Sequence, residues 1–386
     1  WLGLDWDEKL AQSDRLDRYA AAAERLKAAG RLYPCLETEE ELAVKREQRI
    51  RQGKPPLYDR AALRMTKEQL DRAIANGKTP HWRFLLSADS MEWRDGVLGP
   101  RKVKLSSLSD PVLIRADGSF LYTFTSVVDD LETRITDVIR GEDHVTNTAI
   151  QLDILAALGG HPRGMRFAHL PLLTDADGGP LSKRTGSVGL RQLRRDGVEP
   201  AALAGYLLAL GSATDPVAGM PADLAASYDL AKVSKSAARF DPKQMLALNR
   251  KWLHGLDFAA VRDRLPDGAG EAFWLAVRGN LDLFREVRDW WDVVAGAIVP
   301  AGDPADAELL RVAAEHLPEE PWDEATWPAW TSAVGQATGR KGRALYRPLR
   351  LALTGEEHGP DLKGLLPLIG RQRALARLRQ AAQGTP

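Results

Sequence analysis

Residues 135–144 read Ile135-Thr136-Asp137-Val138-Ile139-Arg140-Gly141-Glu142-Asp143-His144. The run ending at Ile139 is short and β-branched, which favours a strand. A helix is predicted next, from about Thr146 to Leu158, stopped by Gly159 and Gly160. Phe167 to Leu173 is a second apolar strand. Strand, helix, strand in this order is a βαβ unit, so the two strands pair in parallel and the fold here is α/β. Ligands of open α/β sheets bind outside the carboxyl ends of the strands. Arg140 sits at such an end, and its planar fork suits a carboxylate or a phosphate. A structural ion pair with Glu142 or Asp143 is the alternative, and position alone leaves both open. His144 lies beside this end as a candidate ligand contact, whereas His161 and His169 read as structural.

Upstream, Pro111 to Arg115, the Asp117-Gly118 turn and Phe120 to Phe124 read as a hairpin. Tyr122 would lie in its second strand, with the acid pair Asp129-Asp130 beyond it. Adjacent acids at a strand end suit Mg²⁺ or a ribose; capping a following helix is the plainer alternative. Arg83 to Leu86 is a further strand. Nearer the start, a helix is expected from Ser13, as N-cap, to Ala29. Capping-box patterns at Thr38 and Thr66 open two more.

Downstream lies the glycine-rich loop Thr174 to Gly189. Ser182, Lys183, Arg184 and Thr185 place two cations and two hydroxyls on one short turn, which suits a polyphosphate. The Gly-x4-Gly-Lys spacing of a Walker A loop is absent. A solvated basic loop is the alternative. From there the chain reads as helices, with Pro242 at N1 after Asp241. Trp252, Trp274, Trp290 and Trp291 occupy apolar positions and read as core. Arg340, Lys341, Arg343, Arg347 and Arg350 alternate with Leu, Ala and Tyr346 at helical spacing, a cationic rim suited to a phosphate backbone. A solvated helix face is the alternative.

The chain has 386 residues, enough for two to four domains. Its 53 basic and 53 acidic residues cancel, which excludes a tail-driven nucleic-acid binder but not a local basic face. The single cysteine, Cys35, excludes an internal disulfide and a cysteine-rich zinc site. It reads as a buried small residue, and a reducing, cytoplasmic compartment fits. No apolar run approaches the ~18 residues of a membrane span. The longest, Ala201 to Leu210, is interrupted by Gly205 and Tyr206. Trp1-Leu2-Gly3-Leu4-Asp5-Trp6 reads as the middle of a folded domain.

Taken in order, these motifs resemble the glutamyl-tRNA synthetases, a class I aminoacyl-tRNA synthetase family. The likeness runs over nearly the whole chain. Trp1 to Glu8 with Gln12 to Arg15 resembles the segment entering the acceptor-binding insertion, and Leu32-Tyr33-Pro34-Cys35 its Tyr-Pro-Cys turn. Tyr122 to Asp130 resembles the wall of the amino-acid pocket. Thr136 to His144 is close to the family's most recognisable stretch. Leu181-Ser182-Lys183-Arg184 resembles its second signature loop, with Pro180 where many relatives have a first Lys. Thr338 to Gly355 resembles the anticodon-binding end.

The resemblance implies an α/β, Rossmann-type catalytic remnant, formed by 1–12 and 111–165 as its second half. An α+β acceptor-stem insertion would span 13–110, a stem-contact region with the Lys183 loop 166–256, and an all-α anticodon-binding domain 257–386. It implies ATP-dependent activation of L-glutamate to glutamyl-adenylate, then transfer to the 3′ end of tRNA(Glu). Tyr122 and Arg140 would bind glutamate. Ser182, Lys183, Arg184 and His144 would bind ATP with its Mg²⁺, and Ser182 and Lys183 would be catalytic. Arg340, Lys341, Arg343, Arg347 and Arg350 would bind tRNA. No zinc and no other metal site is expected, and a monomer is. The family's first signature motif is absent, so the chain is expected to be truncated upstream and inactive as it stands. The alternatives are an enzyme that also charges tRNA(Gln), a related enzyme that glutamylates a modified tRNA base, and a tRNA-binding module without catalysis. The helical end with Thr338 to Gly355 argues against the second of these.

Overall fold

The computed structural model describes residues 1–175, 177–179, 181 and 189–383. Ser182, Lys183, Arg184 and Pro180 of the loop lie outside the described residues. The first helix, α1, is Leu16–Ala28. Ser13 is not its cap: it lies in a single turn, Gln12–Asp14, where its hydroxyl bonds Asp14. Arg15 holds the cap position and makes no capping bond. Its guanidinium reaches instead to Asp129 and Glu132, at 2.8 and 2.6 Å. Strand β1 (Leu32–Cys35) follows, then α2 (Glu39–Arg51) and α3 (Lys67–Ala75). Both helices open on the expected capping boxes, Thr38 with Glu41 and Thr66 with Gln69. Cys35 is buried, donating to Glu37 at 3.2 Å, and burial pushes its thiol up.

Strands β2 (His81–Phe84), β3 (Ser90–Asp95), β4 (Gly99–Lys104) and β5 (Val112–Ile114) come next. β1, β2 and β5 form an antiparallel sheet, with β2 in the middle. The chain then turns into helix α4 (Tyr122–Glu132). This corrects the predicted hairpin: only Phe120 bridges Ile114, and Tyr122 opens a helix rather than lying in a strand. The reason is the apolar spacing. Phe124, Val127 and Val128 recur at i, i+3 and i+4 and are all buried, a helical period that outweighs the β propensity of the segment. Asp129 and Asp130 therefore lie within α4, neither at a strand end nor capping a following helix. Asp129 is taken up by Arg15, by the Tyr19 hydroxyl at 2.9 Å and by Gln12 at 2.9 Å.

Strand β6 (Asp137–Gly141), helix α5 (Val145–Ala157) and strand β7 (Arg166–Leu170) form the expected βαβ unit. β6 pairs with β7 in parallel, β7 with β3 in parallel, and β3 with β4 antiparallel, in the order β4-β3-β7-β6. Helix α5 is buried nearly all round, from Thr148 to Leu155. It shares one core with α1, α4 and the first sheet. β6 itself is an edge strand, held by its five-residue parallel pairing with β7 and by Val138 packed against this core.

A two-strand parallel pair, β8 (Leu173–Thr174) with β9 (Ala238–Arg239), brackets α6 (Leu190–Asp196) and α7 (Pro200–Ala209). Gly205 does not break α7. Its missing side chain lets the Val217 carbonyl approach, and a Cβ there would lie 1.9 Å from that oxygen. Asp241 caps the helix Pro242–Gly255 through the Lys243 amide, as expected. The stretch after Gly189, read as helices throughout, holds the short strand β9, which the pairing with β8 draws into a ladder; among the described residues no strand follows Arg239. Trp274 and Trp330 are fully buried in its core, and Trp290 and Trp291 pack against it. Glu199, at the start of α7, joins this region to the front by a two-pronged pair with Arg264, at 3.0 and 2.5 Å.

Candidate active site

Strands β6 and β7 end together at Arg140-Gly141 and His169-Leu170. Arg140 and His169 are cross-strand neighbours in register, so both side chains leave the same face of the sheet. Helix α5 crosses that face and presents Thr148 and Gln151, three residues apart and thus neighbours on the helix. Helix α4 presents Tyr122 and, one turn on, Ser126. His169, Thr148, Gln151 and Tyr122 meet at the Arg140 guanidinium, with Ser126 behind Gln151.

Its Nη2 donates to Thr148 Oγ1 and to Gln151 Oε1, both at 2.7 Å. Nη1 donates to the Tyr122 hydroxyl at 3.0 Å. Nε faces His169 Nε2 at 3.4 Å. Gln151 in turn donates to Ser126 Oγ at 2.7 Å, and Ser126 donates to the Tyr122 carbonyl at 2.7 Å. The alternative of an ion pair with Glu142 or Asp143 is not what forms. Glu142 accepts from the Leu172 amide at 3.3 Å, and Asp143 faces His144 at 3.7 Å. Among the described residues, no carboxylate lies within ion-pair distance of Arg140. Its charge acts on Asp130, one turn beyond Ser126 on α4. Burial pushes the Asp130 carboxyl up to about 6, with the Arg140 charge opposing the rise. Tyr122 is 47% exposed and carries the opening of the site, with the His144 ring edge-on against it at 5.4 Å. His144 itself bonds Asn147 at 3.2 Å.

An arginine held by neutral acceptors keeps its charge for a ligand. Such a site can take a carboxylate oxygen on the remaining Nη1 hydrogen, with the Tyr122 hydroxyl as a further donor. Thr148 and Gln151 were not picked out from the sequence. Their signal would have been two hydrogen-bonding side chains on one face of an otherwise apolar helix. His169 was read as structural, and it is fully buried, yet it touches Arg140.

The basic C-terminal residues divide. Helix Arg343–Thr354 follows the Gly339 to Gly342 turn. Lys341, Arg343 and Arg347 are exposed there. Arg347 pairs with Glu357. Arg340 is taken up by Asp306, and donates to the Ala305 carbonyl at 3.0 Å. Arg350 is half-buried and donates to the Pro360 carbonyl at 2.5 Å. Arg377 is buried and ties the Leu353 and Gly296 carbonyls together. No helix among the described residues is long and apolar enough to cross a membrane.

A parallel sheet with an arginine at its carboxyl edge, backed by a helical domain with a cationic turn, fits a class I tRNA synthetase. The family model "tRNA synthetases class I (E and Q), catalytic domain" matches residues 1–247, and "Anticodon binding domain" matches 297–382. Similar curated proteins include "Glutamate--tRNA ligase 2" of Gluconacetobacter diazotrophicus, 59% identical over 383 residues, covering 99% of this chain and 86% of that protein. The protein of the same name in Acidiphilium cryptum is 61% identical over 382 residues, with 99% and 86% covered. The chain belongs to the glutamate–tRNA ligase family. A crystal structure of a glutamate tRNA ligase from Elizabethkingia meningosepticum matches with a TM-score of 0.78 at 23% identity, covering 99% of this chain and 87% of that one. That likeness bears on the fold.

Proposed function

We propose that this protein is a glutamate–tRNA ligase that activates L-glutamate with ATP and transfers it to the 3′ end of tRNA(Glu). The observation that carries the proposal is Arg140, a cation at the carboxyl edge of a parallel sheet with four neutral partners and Tyr122 at its outer side. A carboxylate of glutamate accepts from Arg140 Nη1 and from the Tyr122 hydroxyl. That carboxylate is the α- or the side-chain one; an oxygen of the α-carboxylate attacks the α-phosphate of ATP and pyrophosphate leaves. Ser182, Lys183 and Arg184 hold the phosphates, which arrive with Mg²⁺, and Lys183 meets the charge that builds in the pentavalent transition state. His144, packed on Tyr122, faces the nucleotide. The terminal ribose hydroxyl of the tRNA then attacks the mixed anhydride carbonyl, and AMP leaves.

In this reading 13–110 receives the acceptor stem, 166–256 the stem, and 257–386 the anticodon. Lys341, Arg343 and Arg347 meet phosphates directly, while Arg340 and Arg350 shape the turn that carries them. The enzyme works as a cytoplasmic monomer. Charging of labelled glutamate onto tRNA(Glu) and tRNA(Gln) by the full-length protein tests the reading. Charging of tRNA(Glu) is expected. Charging of both would make the specificity relaxed, and tRNA binding with neither charged would leave a recognition module.

A further inference from the structure

Arg140 has to present one edge of its fork outward and keep the rest still. Three of the four contacts around it come from side chains near the opening or on one helix. The fourth comes from the interior. His169 and Asp95 both have fully buried side chains, and His169 Nδ1 lies 2.5 Å from Asp95 Oδ2. The other oxygen of Asp95 accepts from the backbone amides of His169, Val97 and Leu98, at 3.1, 3.1 and 2.9 Å. Burial works to raise the Asp95 carboxyl, but the bonds from His169 and these amides outweigh it and hold it below the usual carboxylate range. Asp95 is therefore an anion that only accepts.

That fixes the imidazole. Nδ1 must carry the hydrogen that Asp95 receives, which leaves Nε2 of the neutral ring with a bare lone pair. Nε2 faces two donors, Arg140 Nε at 3.4 Å and the Thr148 hydroxyl at 3.0 Å. With the Thr148 hydrogen turned toward Nε2 at 3.0 Å rather than toward its other acceptor, the His144 carbonyl at 3.2 Å, the lone pairs of that oxygen are free for Arg140 Nη2. One imidazole thus holds two of the three guanidinium nitrogens, one directly and one through Thr148. A carboxylate at the same place would hold Arg140 as firmly but would cancel the charge the substrate needs.

We propose that His169, its tautomer set by Asp95, is the positioning residue that aims Arg140 at the substrate carboxylate. The inference rests on the reading of Arg140 as the glutamate ligand. It is tested in the full-length protein by glutamate-dependent ATP–pyrophosphate exchange, with glutamate and ATP varied separately. The informative pair is His169→Asn and His169→Gln. The shorter amide reaches the place of Nδ1 and keeps only the Asp95 contact, whereas the longer one reaches the place of Nε2 and keeps the Arg140 contact. His169→Asn should raise the KM for glutamate about tenfold or more, as expected when a bond to a charged group is removed, while the KM for ATP changes less than about twofold. His169→Gln should recover most of that loss. Asp95→Asn is nearly isosteric, and its amide can donate to Nδ1. The ring then carries its hydrogen on Nε2, against Arg140, and the KM for glutamate should rise as in His169→Asn. This variant decides the matter if the His169 variants do not fold.

Equal glutamate KM values for the two His169 variants, or equal changes for both substrates, would make His169 a packing residue and overturn the proposal. So would an unchanged glutamate KM in Asp95→Asn. Arg140→Lys separates the two levels of inference. If it leaves the glutamate KM unchanged, the reading of Arg140 has failed. If it raises that KM while the His169 and Asp95 variants do not, only the positioning role has.

Discussion

Arg140 and Asp130 show what burial does to single charges at this site. No carboxylate among the described residues pairs with Arg140, and its outer edge is open to a ligand. Tyr122 shares that edge, and its hydroxyl is the part that touches the guanidinium. Tyr122→Phe should raise the KM for glutamate roughly ten- to a hundredfold, the usual cost of one hydrogen bond to a charged ligand, and leave the tRNA Kd unchanged. Steady-state kinetics and filter binding on one preparation check both halves. Among the described residues Asp130 has no hydrogen-bond partner to offset its burial, and its carboxyl titrates near about 6. The folded protein therefore binds this proton more tightly than the unfolded chain. The stability it contributes is present below the ordinary carboxyl range and is lost as the pH rises toward about 6. Asp130→Asn, neutral at every pH, should match the parent near pH 4 and exceed it at pH 7.5 by roughly 1–3 kcal/mol. Melting curves at the two pH values test this, and a difference independent of pH would refute it.

Helix α4 and helix α7 are where local reading and packing part company. The Asp117-Gly118 turn and the threonine-rich stretch after it argue locally for a second strand. The i, i+3, i+4 spacing of Phe124, Val127 and Val128 was equally legible, and burial against α5 made it the stronger signal. The change matters for the site, because a helix brings Tyr122 and Ser126 within one turn, about 6 Å along the axis, where a strand would spread them about 13 Å apart. In α7, Gly205 looked like an interruption. It is instead the point where residues 217–218 cross the helix at backbone distance. Gly205→Ala would normally favour a helix. Here the methyl would collide with the backbone of Val217, so the variant should lose about 1–3 kcal/mol, seen as a lower Tm. A raised Tm would mean that the crossing segment yields freely.

At the scale of the whole molecule, three apolar cores follow one another along the chain. Joints such as Glu199 with Arg264 fix the helical end to the front. The cationic rim can be sorted by what each residue already holds. Lys341, Arg343 and Arg347 are exposed, so replacing all three with Ala should lower the slope of log K against log salt for tRNA by about 1 for each phosphate no longer neutralised. Arg350→Ala should leave the slope alone and lower the Tm, because the half-buried side chain spends its Nη2 on the Gly359 and Pro360 carbonyls. Binding isotherms at several salt concentrations distinguish the two groups.

The parallel unit around β6, the capping boxes and the helical back could be read directly, because each is written as a local period or a short motif. The order of those motifs was enough for the family. Arg140 was legible as a candidate, since strand ends are visible in sequence. Its setting was not. Tyr122, Thr148, Gln151 and His169 reach one guanidinium from two helices and a strand, and Asp95, which holds His169 from another strand, stands 74 residues from it. Hydrogen bonds between such distant residues leave no periodicity in the chain. Only the packing of α4 and α5 across the sheet brings them together, and that packing is what turns a lone arginine into a carboxylate site.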